Sequence, residues 1–254
     1  MHMSSAFDLS GKVALVTGAN TGLGAAIALA LARAGADVAA AGRSAPDETL
    51  QAIHAVGRRG EWIPAQLDDS ANATGIVDAA VARFGGFDIL VNNAGTIRRN
   101  DALDFTEEDW DAVMGVNLKT AFFLAQAAAR RWVADKRGGK IINIASMLSF
   151  QGGVRVASYT ASKSGLLGLT RLLANEWAAR GINVNAIAPG YFATNNTAAL
   201  RADETRNKSI LERIPAGRWG DPADLGGAAV FLASDAASYV HGAVLPVDGG
   251  WLAR

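Results

Sequence analysis

Tyr159 and Lys163 are side chains whose types and spacing could carry acid–base chemistry. They lie four residues apart at the start of a predicted helix, and residues at this spacing share one helix face. A free phenol has a pKa of about 10, so it is a poor acid–base catalyst at neutral pH unless a nearby cation favours the phenolate. Lys163 could supply that cation, although the same pair also fits an ordinary amphipathic helix.

Polar residues also follow two predicted strands. Ser146 comes after the strand 140–144, and Asn93 comes after the strand 89–91. Active-site residues of open α/β sheets gather at the carboxyl ends of strands. Ser146 could therefore hydrogen-bond a substrate carbonyl oxygen and hold it against Tyr159. The alternative is a serine that only caps a turn.

A glycine-rich segment, 17–24, separates the first predicted strand from the first predicted helix. Glycines there permit a tight turn and close backbone approach to a pyrophosphate, whose charge the helix N-terminus favours. The spacing differs from the general G-x-G-x-x-G fingerprint, and a purely structural turn is the alternative. The strand before it and the helix after it favour dinucleotide binding. The predicted contacts are Gly18, Asn20, Thr21, Gly22, Leu23 and Gly24.

The end of the second predicted strand bears on the choice of dinucleotide. A site for NAD usually carries an acidic residue there for the adenosine ribose, whereas an arginine accommodates the 2′-phosphate of NADP. This strand ends with Gly42-Arg43-Ser44. Arg43 and Ser44 could both donate to a phosphate, so the sequence favours NADP(H) while leaving NAD(H) open.

The elements that must position these residues alternate along the chain. Apolar strand patterns at 13–17, 38–41, 89–91, 140–144, 183–187 and 243–247 are separated by helical patterns at 25–34, 72–84, 110–131, 159–179 and 225–232. Such alternation predicts parallel βαβ units. We therefore predict an α/β fold: a single Rossmann-like doubly wound parallel sheet with helices on both faces, in one domain over 1–254. Residues 1–10 are expected to lie outside it, disordered or as a remnant of cloning.

The stretch 194–214 is polar, charge-rich and the least regular part of the sequence. Two interpretations remain open. It could be a mobile lid over the substrate, or a surface helix pair that packs on the core.

Composition excludes several classes of protein. The formal net charge is zero and 50% of residues are hydrophobic, which is typical of a globular protein and unlike a nucleic-acid-binding one. The chain has no cysteine, so disulfides and thiolate metal sites are excluded, and we predict no metal site. No signal peptide or apolar run of about 18 residues is evident, so we expect a cytoplasmic protein without a membrane partner.

With these motifs in this order, the chain is identified as a member of the short-chain dehydrogenase/reductase family over essentially its full length. The motifs are the 17–24 cradle, Asn92-Asn93-Ala94-Gly95, Asn117, Ser146, Tyr159 with Lys163, and Pro189-Gly190 followed by Thr194. The resemblance implies an NAD(P)(H)-dependent oxidoreductase acting on CH–OH groups.

The resemblance also implies a role for each matching residue. Tyr159 would be the acid–base, Lys163 would lower its pKa and bind the nicotinamide ribose, Ser146 would orient the carbonyl, and Asn117 would anchor a water for proton relay. One departure concerns adenine: the family's aspartate after the third strand is replaced by Gln66, unless Asp68 takes that role. Further cofactor contacts are implied for Asn93, Ala94, Gly95, Pro189, Gly190, Phe192 and Thr194.

A narrower resemblance is to dehydrogenases of deoxy sugar acids, of the 2-deoxy-D-gluconate or 2-dehydro-3-deoxy-D-gluconate type. It is carried by the segments 97–99, 147–155, 193–197, 214–219 and 247–254. Such a substrate carries a carboxylate, which a guanidinium can bind bidentately. The candidate substrate ligands are Arg155 above all, then Arg99 and Gln151, although each could equally be solvated or at a subunit contact.

Other functions remain open on the same fold. The catalytic residues do not distinguish a sugar-acid dehydrogenase from a reductase of another carbonyl class, such as 3-oxoacyl thioesters. A non-catalytic cofactor-sensing scaffold is a third hypothesis. The resemblance further implies a homotetramer, and the C-terminal Trp251 would suit either a subunit contact or a cap on the core.

Overall fold

The structure, a computed structural model, describes residues 6–254, and its centre is a seven-stranded sheet. The strands are parallel and lie in the order β3-β2-β1-β4-β5-β6-β7. This order reverses direction at β1, as in doubly wound sheets, and confirms the predicted fold class. The strands are β1 Val13–Thr17, β2 Asp37–Gly42, β3 Gly60–Pro64, β4 Ile89–Asn92, β5 Gly139–Ile144, β6 Ile182–Pro189 and β7 Val244–Val247.

Helices cover both faces of the sheet and form two hydrophobic cores. One core joins the sheet to α1, α2 and α9, and the other joins it to α3, α5 and α6. Within β1, Ala14 and Val16 face the first core and Leu15 faces the second. Burial on both faces explains why these strands read as continuous apolar runs. The helices are α1 Gly22–Arg33, α2 Asp47–Ala55, α3 Ala73–Phe84, α4 Glu107–Met114, α5 Ala121–Ala134, α6 Ala157–Trp177, α7 Ala198–Ala202, α8 Glu204–Arg213 and α9 Gly226–Ala233.

Two elements have no counterpart in the predicted pattern, namely α2 and β3. β3 is one of the two edge strands of the sheet, and its sequence Gly-Glu-Trp-Ile-Pro is only partly buried. An edge strand has no neighbour on one side, so it tolerates a charged residue and a proline that a central strand would exclude.

The expected exclusion of residues 1–10 is wrong for the part that the structure describes. Leu9 is 1% exposed in the core, and its backbone N–H bonds the Ala34 carbonyl oxygen at 2.8 Å. Burial of Leu9 and its hydrogen bond to Ala34, the residue after α1, hold this segment against the rest of the protein. Residues 1–5 lie outside the described residues.

The long helical pattern predicted over 110–131 is observed as α4, a π-helical segment Gly115–Thr120 and α5 in one continuous run. This stretch, Glu107–Ala134, is apolar and long enough to cross a membrane by length and composition alone, with a mean hydropathy of 1.2. The sequence analysis expected no such run. The apolar side chains Leu124 and Trp132 pack in the core, as in core helices of soluble proteins.

The stretch 194–214 forms two consecutive helices, α7 and α8. Ile210 and Ile214 pack in a small apolar cluster with Met147 and Trp251. The helix pair therefore packs on the body of the protein, and a lid motion stays a prediction.

Candidate active site

A cavity of about 850 Å³ opens at the carboxyl ends of the strands. The loops after β1, β2, β4, β5 and β6 line it together with α8. This is the position at which open α/β sheets bind ligands. Most of the predicted site residues line it: Gly18, Asn20, Thr21, Gly22, Leu23, Gly24, Arg43, Ser44, Asn93, Ala94, Gly95, Arg99, Ser146, Gln151, Tyr159, Lys163, Pro189, Gly190, Phe192 and Thr194.

The glycine cradle needs its glycines for different reasons. Gly18 and Gly22 have φ angles of +66° and +56°, which L side chains rarely adopt. Gly24 has an ordinary φ, but a Cβ there would lie 2.2 Å from the Gly18 carbonyl oxygen. α1 therefore begins directly against the turn. Thr21 makes no side-chain capping bond, so first-turn N–H groups stay available at the cavity wall.

Asn93 ties the cradle to the end of β4. Its Nδ2 donates to the carbonyl oxygens of Thr17 at 2.9 Å and of Gly18 at 3.1 Å. The Thr17 hydroxyl in turn accepts the N–H groups of Asn93 and Ala94, each at 3.0 Å. These bonds fix the cradle and the cavity wall as one unit.

Arg43 and Ser44 are exposed at the cavity rim after β2, as predicted. The structure does not place Gln66 at the predicted adenine contact. Its side chain is exposed and does not line the cavity, whereas Leu67 and Asp68 do. The connection from the edge strand β3 must cross the ends of β2 and β1 to reach α3 and β4. The chain therefore reaches the cavity only after Gln66, and the alternative residue Asp68 is the one at its wall.

Tyr159 and Lys163 occupy the first two turns of α6, and both line the cavity. Lys163 is 4% exposed, and its Nζ donates to the Ile144 carbonyl oxygen at 2.6 Å. The Nζ lies 5.7 Å from the Tyr159 ring centre. Burial lowers the pKa of Lys163 from 10.5 to about 8.

Burial raises the pKa of the Tyr159 phenol, while Ser146 and the positive charge of Arg99 act in the opposite direction. Arg99 is therefore a second cation that acts on the phenol, in addition to Lys163, whose Nζ lies beside the ring. Because its pKa is raised, the phenol is protonated at neutral pH. It is poised to give a proton to an oxygen placed beside it.

Ser146 lies directly after β5 and is buried. Its Oγ accepts the Leu148 N–H at 3.1 Å, as in the predicted alternative of a turn cap. Its hydroxyl hydrogen is not used by that bond, since the oxygen is the acceptor. Ser146 can therefore cap the turn and still donate to a ligand oxygen in the cavity.

Asn117 lies in the π-helical segment and does not line the cavity. Its Oδ1 accepts the Thr96 N–H at 2.8 Å, and its Nδ2 donates to the Thr96 carbonyl oxygen and the Ser162 hydroxyl. The Ser162 hydroxyl donates to the Tyr159 carbonyl oxygen at 2.8 Å. Both polar atoms of the side chain are therefore bonded within the protein, and the role of Asn117 as a water anchor stays a prediction. The side chain links the loop after β4 to the backbone of Tyr159.

The segment after β6 closes the cavity on the side of the cradle. Gly190 has no room for a side chain, since a Cβ would lie 2.6 Å from the Asp248 Cα. Phe192 is buried, and a Cβ at Gly22 would lie 3.5 Å from the Thr194 methyl carbon. Thr194 therefore faces the cradle from across the cavity.

Arg155, the first choice among the substrate ligands, does not line the cavity. Its φ is +63°, its carbonyl oxygen accepts the Asn100 N–H, and its guanidinium lies 3.8 Å from the exposed Asp101 carboxylate. Arg155 is exposed and lies outside the cavity, so the structure does not bring it together with the other site residues. Arg99 and Gln151 do line the cavity.

Several residues that line the cavity were not predicted from the sequence, among them Tyr191, Arg206, Arg213 and Trp251. Arg206 and Arg213 are seven residues apart, a spacing that puts both on one helix face with Ile210 between them. That spacing was a usable signal. No sequence signal indicated the position of Trp251, because this position depends on the C-terminus folding back onto α8.

Cations dominate the cavity wall. Five arginines and Lys163 line it, against the single carboxylate of Asp68. A cavity with this balance attracts anions. Among residues 6–254, no group of three or more His, Cys, Asp or Glu side chains could hold a metal ion.

Comparisons with known proteins agree with this arrangement. Residues 18–252 match the family model described as enoyl-(acyl carrier protein) reductase. A 2-dehydro-3-deoxy-D-gluconate 5-dehydrogenase of Escherichia coli K12 is 62% identical over 98% of this chain and 99% of its own. A 3-oxoacyl-[acyl-carrier-protein] reductase of Vibrio cholerae is 42% identical over 96% of this chain and 98% of its own.

Among solved structures, one from Agrobacterium tumefaciens superposes with a TM-score of 0.94 and 63% identity, covering 98% of this chain and 99% of that chain. It is assigned provisionally as a 2-deoxy-D-gluconate 3-dehydrogenase and has NADP bound. The fold, the cradle and the Tyr159–Lys163 pair define an oxidoreductase. The chain belongs to the short-chain dehydrogenase/reductase family.

Proposed function

We propose that this protein interconverts a secondary alcohol and a ketone on a deoxy sugar acid, using a nicotinamide dinucleotide. The observation that carries the proposal is that the phenol of Tyr159, the hydroxyl of Ser146 and the glycine cradle line one cavity. Proton transfer, carbonyl orientation and dinucleotide binding are thereby available at one place.

The residues present fit a dinucleotide. Gly18 and Gly22 adopt backbone angles that leave the cradle wall free of side chains, and the N-terminus of α1 favours negative charge. Lys163 and Thr194 would hold the nicotinamide end, while Arg43 and Ser44 would hold the adenosine end. When bound, the nicotinamide supplies or accepts the hydride at the substrate carbon.

The protein's own part of the reaction is the proton and the orientation of the oxygen. In ketone reduction Ser146 donates a hydrogen bond to the substrate oxygen, and Tyr159 gives that oxygen its phenolic proton as negative charge develops. In alcohol oxidation Tyr159 takes the proton back. The Asn117–Ser162 link supports the Tyr159 backbone, which makes Asn117 a positioning residue.

The preferred cofactor in this proposal is NADP(H). Arg43 is exposed at the rim, and its guanidinium has no hydrogen-bond or ion-pair partner among residues 6–254. A free guanidinium beside the adenosine ribose suits the 2′-phosphate of NADP, which it can bind bidentately.

A sugar acid is the favoured substrate class for two reasons. The relative that is 62% identical bears the name of a sugar-acid dehydrogenase, whereas the thioester reductase is 42% identical. The cationic cavity also suits a small carboxylate. A 3-oxoacyl thioester, whose reacting part is uncharged, would make no use of arginines beside the reacting centre.

A substrate panel tests this proposal. Steady-state rates should be measured for 2-deoxy-D-gluconate, 2-dehydro-3-deoxy-D-gluconate and an acetoacetyl thioester, each with NAD(H) and NADP(H). We expect kcat/KM for a sugar acid to exceed that for the thioester. Turnover of the thioester alone would overturn the substrate class, and no turnover of any carbonyl or alcohol would favour the cofactor-sensing scaffold.

The assembly and organisation of the protein are further parts of the proposal. We propose one catalytic domain, a homotetramer and a cytoplasmic location, with 194–214 acting as the substrate lid. Trp251 is 4% exposed and packs on Tyr191 and Arg213 of its own chain, so a subunit contact would use other surfaces. Light scattering coupled to size-exclusion chromatography measures the assembly directly.

A further inference from the structure

The arginines that line the cavity differ in what their side chains already bind. Arg98 lies 3.1 Å from the Asp109 carboxylate. Arg213 donates to the Gln151 Oε1 at 3.2 Å and stacks over the Trp251 ring at 4.0 Å. Among residues 6–254, the guanidinium groups of Arg43, Arg99 and Arg206 have no such partner. Three cations are therefore available to a ligand.

Arg206 belongs to the cavity face of α8. Residues 206, 209, 210 and 213 of this helix all line the cavity, at the i, i+3, i+4 and i+7 spacing of one face. Ile210 is 3% exposed and fixes that face against Met147 and Trp251. Packing of the helix thus places Arg206, an exposed residue, on the face that lines the cavity.

Arg213 helps to hold α8 in this orientation. Gln151 Oε1 accepts hydrogen bonds from Arg213 and from the Trp251 indole N–H, both at 3.2 Å. Gln151, predicted as a substrate ligand, therefore joins the loop after β5 to α8 and the C-terminus. Arg213 is engaged in this network, and Arg206 is the cation of α8 that remains free.

Arg99 and Arg206 reach the cavity from different elements, since Arg99 follows β4 and Arg206 lies on α8. The positive charge of Arg99 acts on the Tyr159 phenol, against the larger effect of burial, which raises the phenol pKa. Arg206 acts instead on Tyr191, whose pKa it lowers against the effect of burial. In a 5-dehydrogenase of 2-dehydro-3-deoxy-D-gluconate, the carboxylate is carbon 1 and the reacting carbon is carbon 5. The carboxylate must then lie away from Tyr159.

We infer that Arg206, on the cavity face of α8, binds the carboxylate of the substrate while Arg213, Gln151 and Trp251 hold that helix in place. The inference rests on the proposed function, because it assumes a sugar acid whose carboxylate is remote from the reacting carbon. Ser209 lies one helical turn from Arg206 on the same face and can donate a second hydrogen bond. Arg206 is then a specificity-determining residue, since a neutral substrate would leave its charge unused.

The test compares Arg206→Gln with Arg206→Lys and with the matched control Lys208→Gln. Lys208 is on the same helix, is exposed and lies 3.9 Å from Glu212, so the control removes one positive charge outside the cavity. Each variant is assayed with the sugar acid and with its neutral C1 amide, at saturating NADP(H). The dissociation constant of NADP(H) is measured separately by fluorescence titration.

We expect Arg206→Gln to raise KM for the sugar acid by about 10-fold to 100-fold, the range for loss of a hydrogen bond to a charged group. KM for the amide, kcat and the NADP(H) dissociation constant should change little. Arg206→Lys should recover part of the loss, and Lys208→Gln should match the wild type.

Two results would overturn the inference. One is an Arg206→Gln enzyme whose KM for the sugar acid equals that of the wild type. The other is a loss that appears equally with the amide or in NADP(H) binding, which would mean a structural or cofactor role. Failure of the wild type to turn over any sugar acid would instead defeat the proposed function itself, so the two failures are distinguishable.

Discussion

The Lys163 ammonium group lies 5.7 Å from the centre of the Tyr159 ring and donates a 2.6 Å hydrogen bond to the Ile144 carbonyl oxygen. A buried cation with one carbonyl acceptor is costly to the fold. It is retained at the point where a phenol must exchange a proton with substrate. This relationship links the stability of the protein to its proposed chemistry.

Replacing Lys163 with methionine should stabilise the protein at neutral pH while abolishing most activity. The pKa of Lys163 falls from 10.5 in the unfolded chain to about 8 in the folded one, a difference worth about 3 kcal/mol. Loss of the bond to Ile144 offsets about 1 kcal/mol, leaving a net gain of about 2 kcal/mol. Urea unfolding of Lys163→Met and of the wild type at pH 7 measures this difference in the free energy of unfolding.

The same variant has a defined pH dependence. Between pH 8 and pH 10.5 the unfolded chain binds a proton at Lys163 that the folded chain does not, so wild-type stability rises with pH across this window. The gain in stability of Lys163→Met over the wild type should therefore disappear as the pH approaches 10.5. The exposed Lys208→Met serves as the control and should change stability by less than about 0.5 kcal/mol at either pH. A destabilised, pH-independent Lys163→Met would contradict the assignment.

Ketone reduction should lose rate as Lys163 loses its proton. Below pH 8 Lys163 is charged and the Tyr159 phenol, whose pKa is raised, is protonated, so both groups are in the state that reduction requires. We expect kcat/KM for reduction to be level below that pH and to fall above it. In Lys163→Arg the charge persists, so the fall should move to higher pH. A profile of log kcat/KM against pH for both enzymes measures this, and identical profiles would remove Lys163 from the account.

Arg43 should decide between the two cofactors. Its guanidinium is free at the cavity rim, so Arg43→Ala should raise KM for NADP(H) by about 10-fold or more and leave KM for NAD(H) nearly unchanged. Arg33→Ala is the control, since Arg33 is an exposed arginine at the other end of α1. Equal effects of Arg43→Ala on both cofactors would show that Arg43 does not contact a 2′-phosphate.

Glycine-to-alanine substitutions separate the cradle from an ordinary helix. At Gly24 a Cβ would lie 2.2 Å from the Gly18 carbonyl oxygen, so Gly24→Ala should destabilise the protein by about 1–3 kcal/mol and weaken dinucleotide binding. At Gly75, in α3, a Cβ meets nothing within 4 Å. Gly75→Ala should stabilise by about 0.5–1 kcal/mol. Thermal unfolding with and without NADP(H) checks both, and a tolerated Gly24→Ala would refute the tight turn.

Much of the fold could be predicted from the sequence because each central strand is buried on both faces. Residues 13–16 of β1 read as an unbroken apolar run for that reason, and the alternation of strands with helices indicated a parallel sheet. The edge strand β3 was missed because only Gly60 and Ile63 of its five residues are buried, so no continuous apolar run marks it. Edge position is a property of the sheet, which a local pattern does not contain.

The candidate site was predictable where function and local geometry coincide. The cradle and the Tyr159–Lys163 pair each lie within a few consecutive residues, so their spacing made them candidates and the neighbouring motifs supported them. The part of the site around Arg206 was not predictable. Arg206 reaches the cavity because Ile210 packs on Trp251, a residue far along the chain. Arg155 is near Tyr159 in sequence, yet its guanidinium lies 3.8 Å from the Asp101 carboxylate and it does not line the cavity.

The central claim is that Tyr159 supplies the proton within a cavity that binds the dinucleotide. Its most direct test is Tyr159→Phe, which keeps the ring and removes only the hydroxyl. We expect kcat for sugar-acid turnover to fall by about 10²-fold to 10⁴-fold, the usual contribution of general acid–base catalysis. NADP(H) binding and thermal stability should be retained. A Tyr159→Phe enzyme with the wild-type kcat would contradict the account.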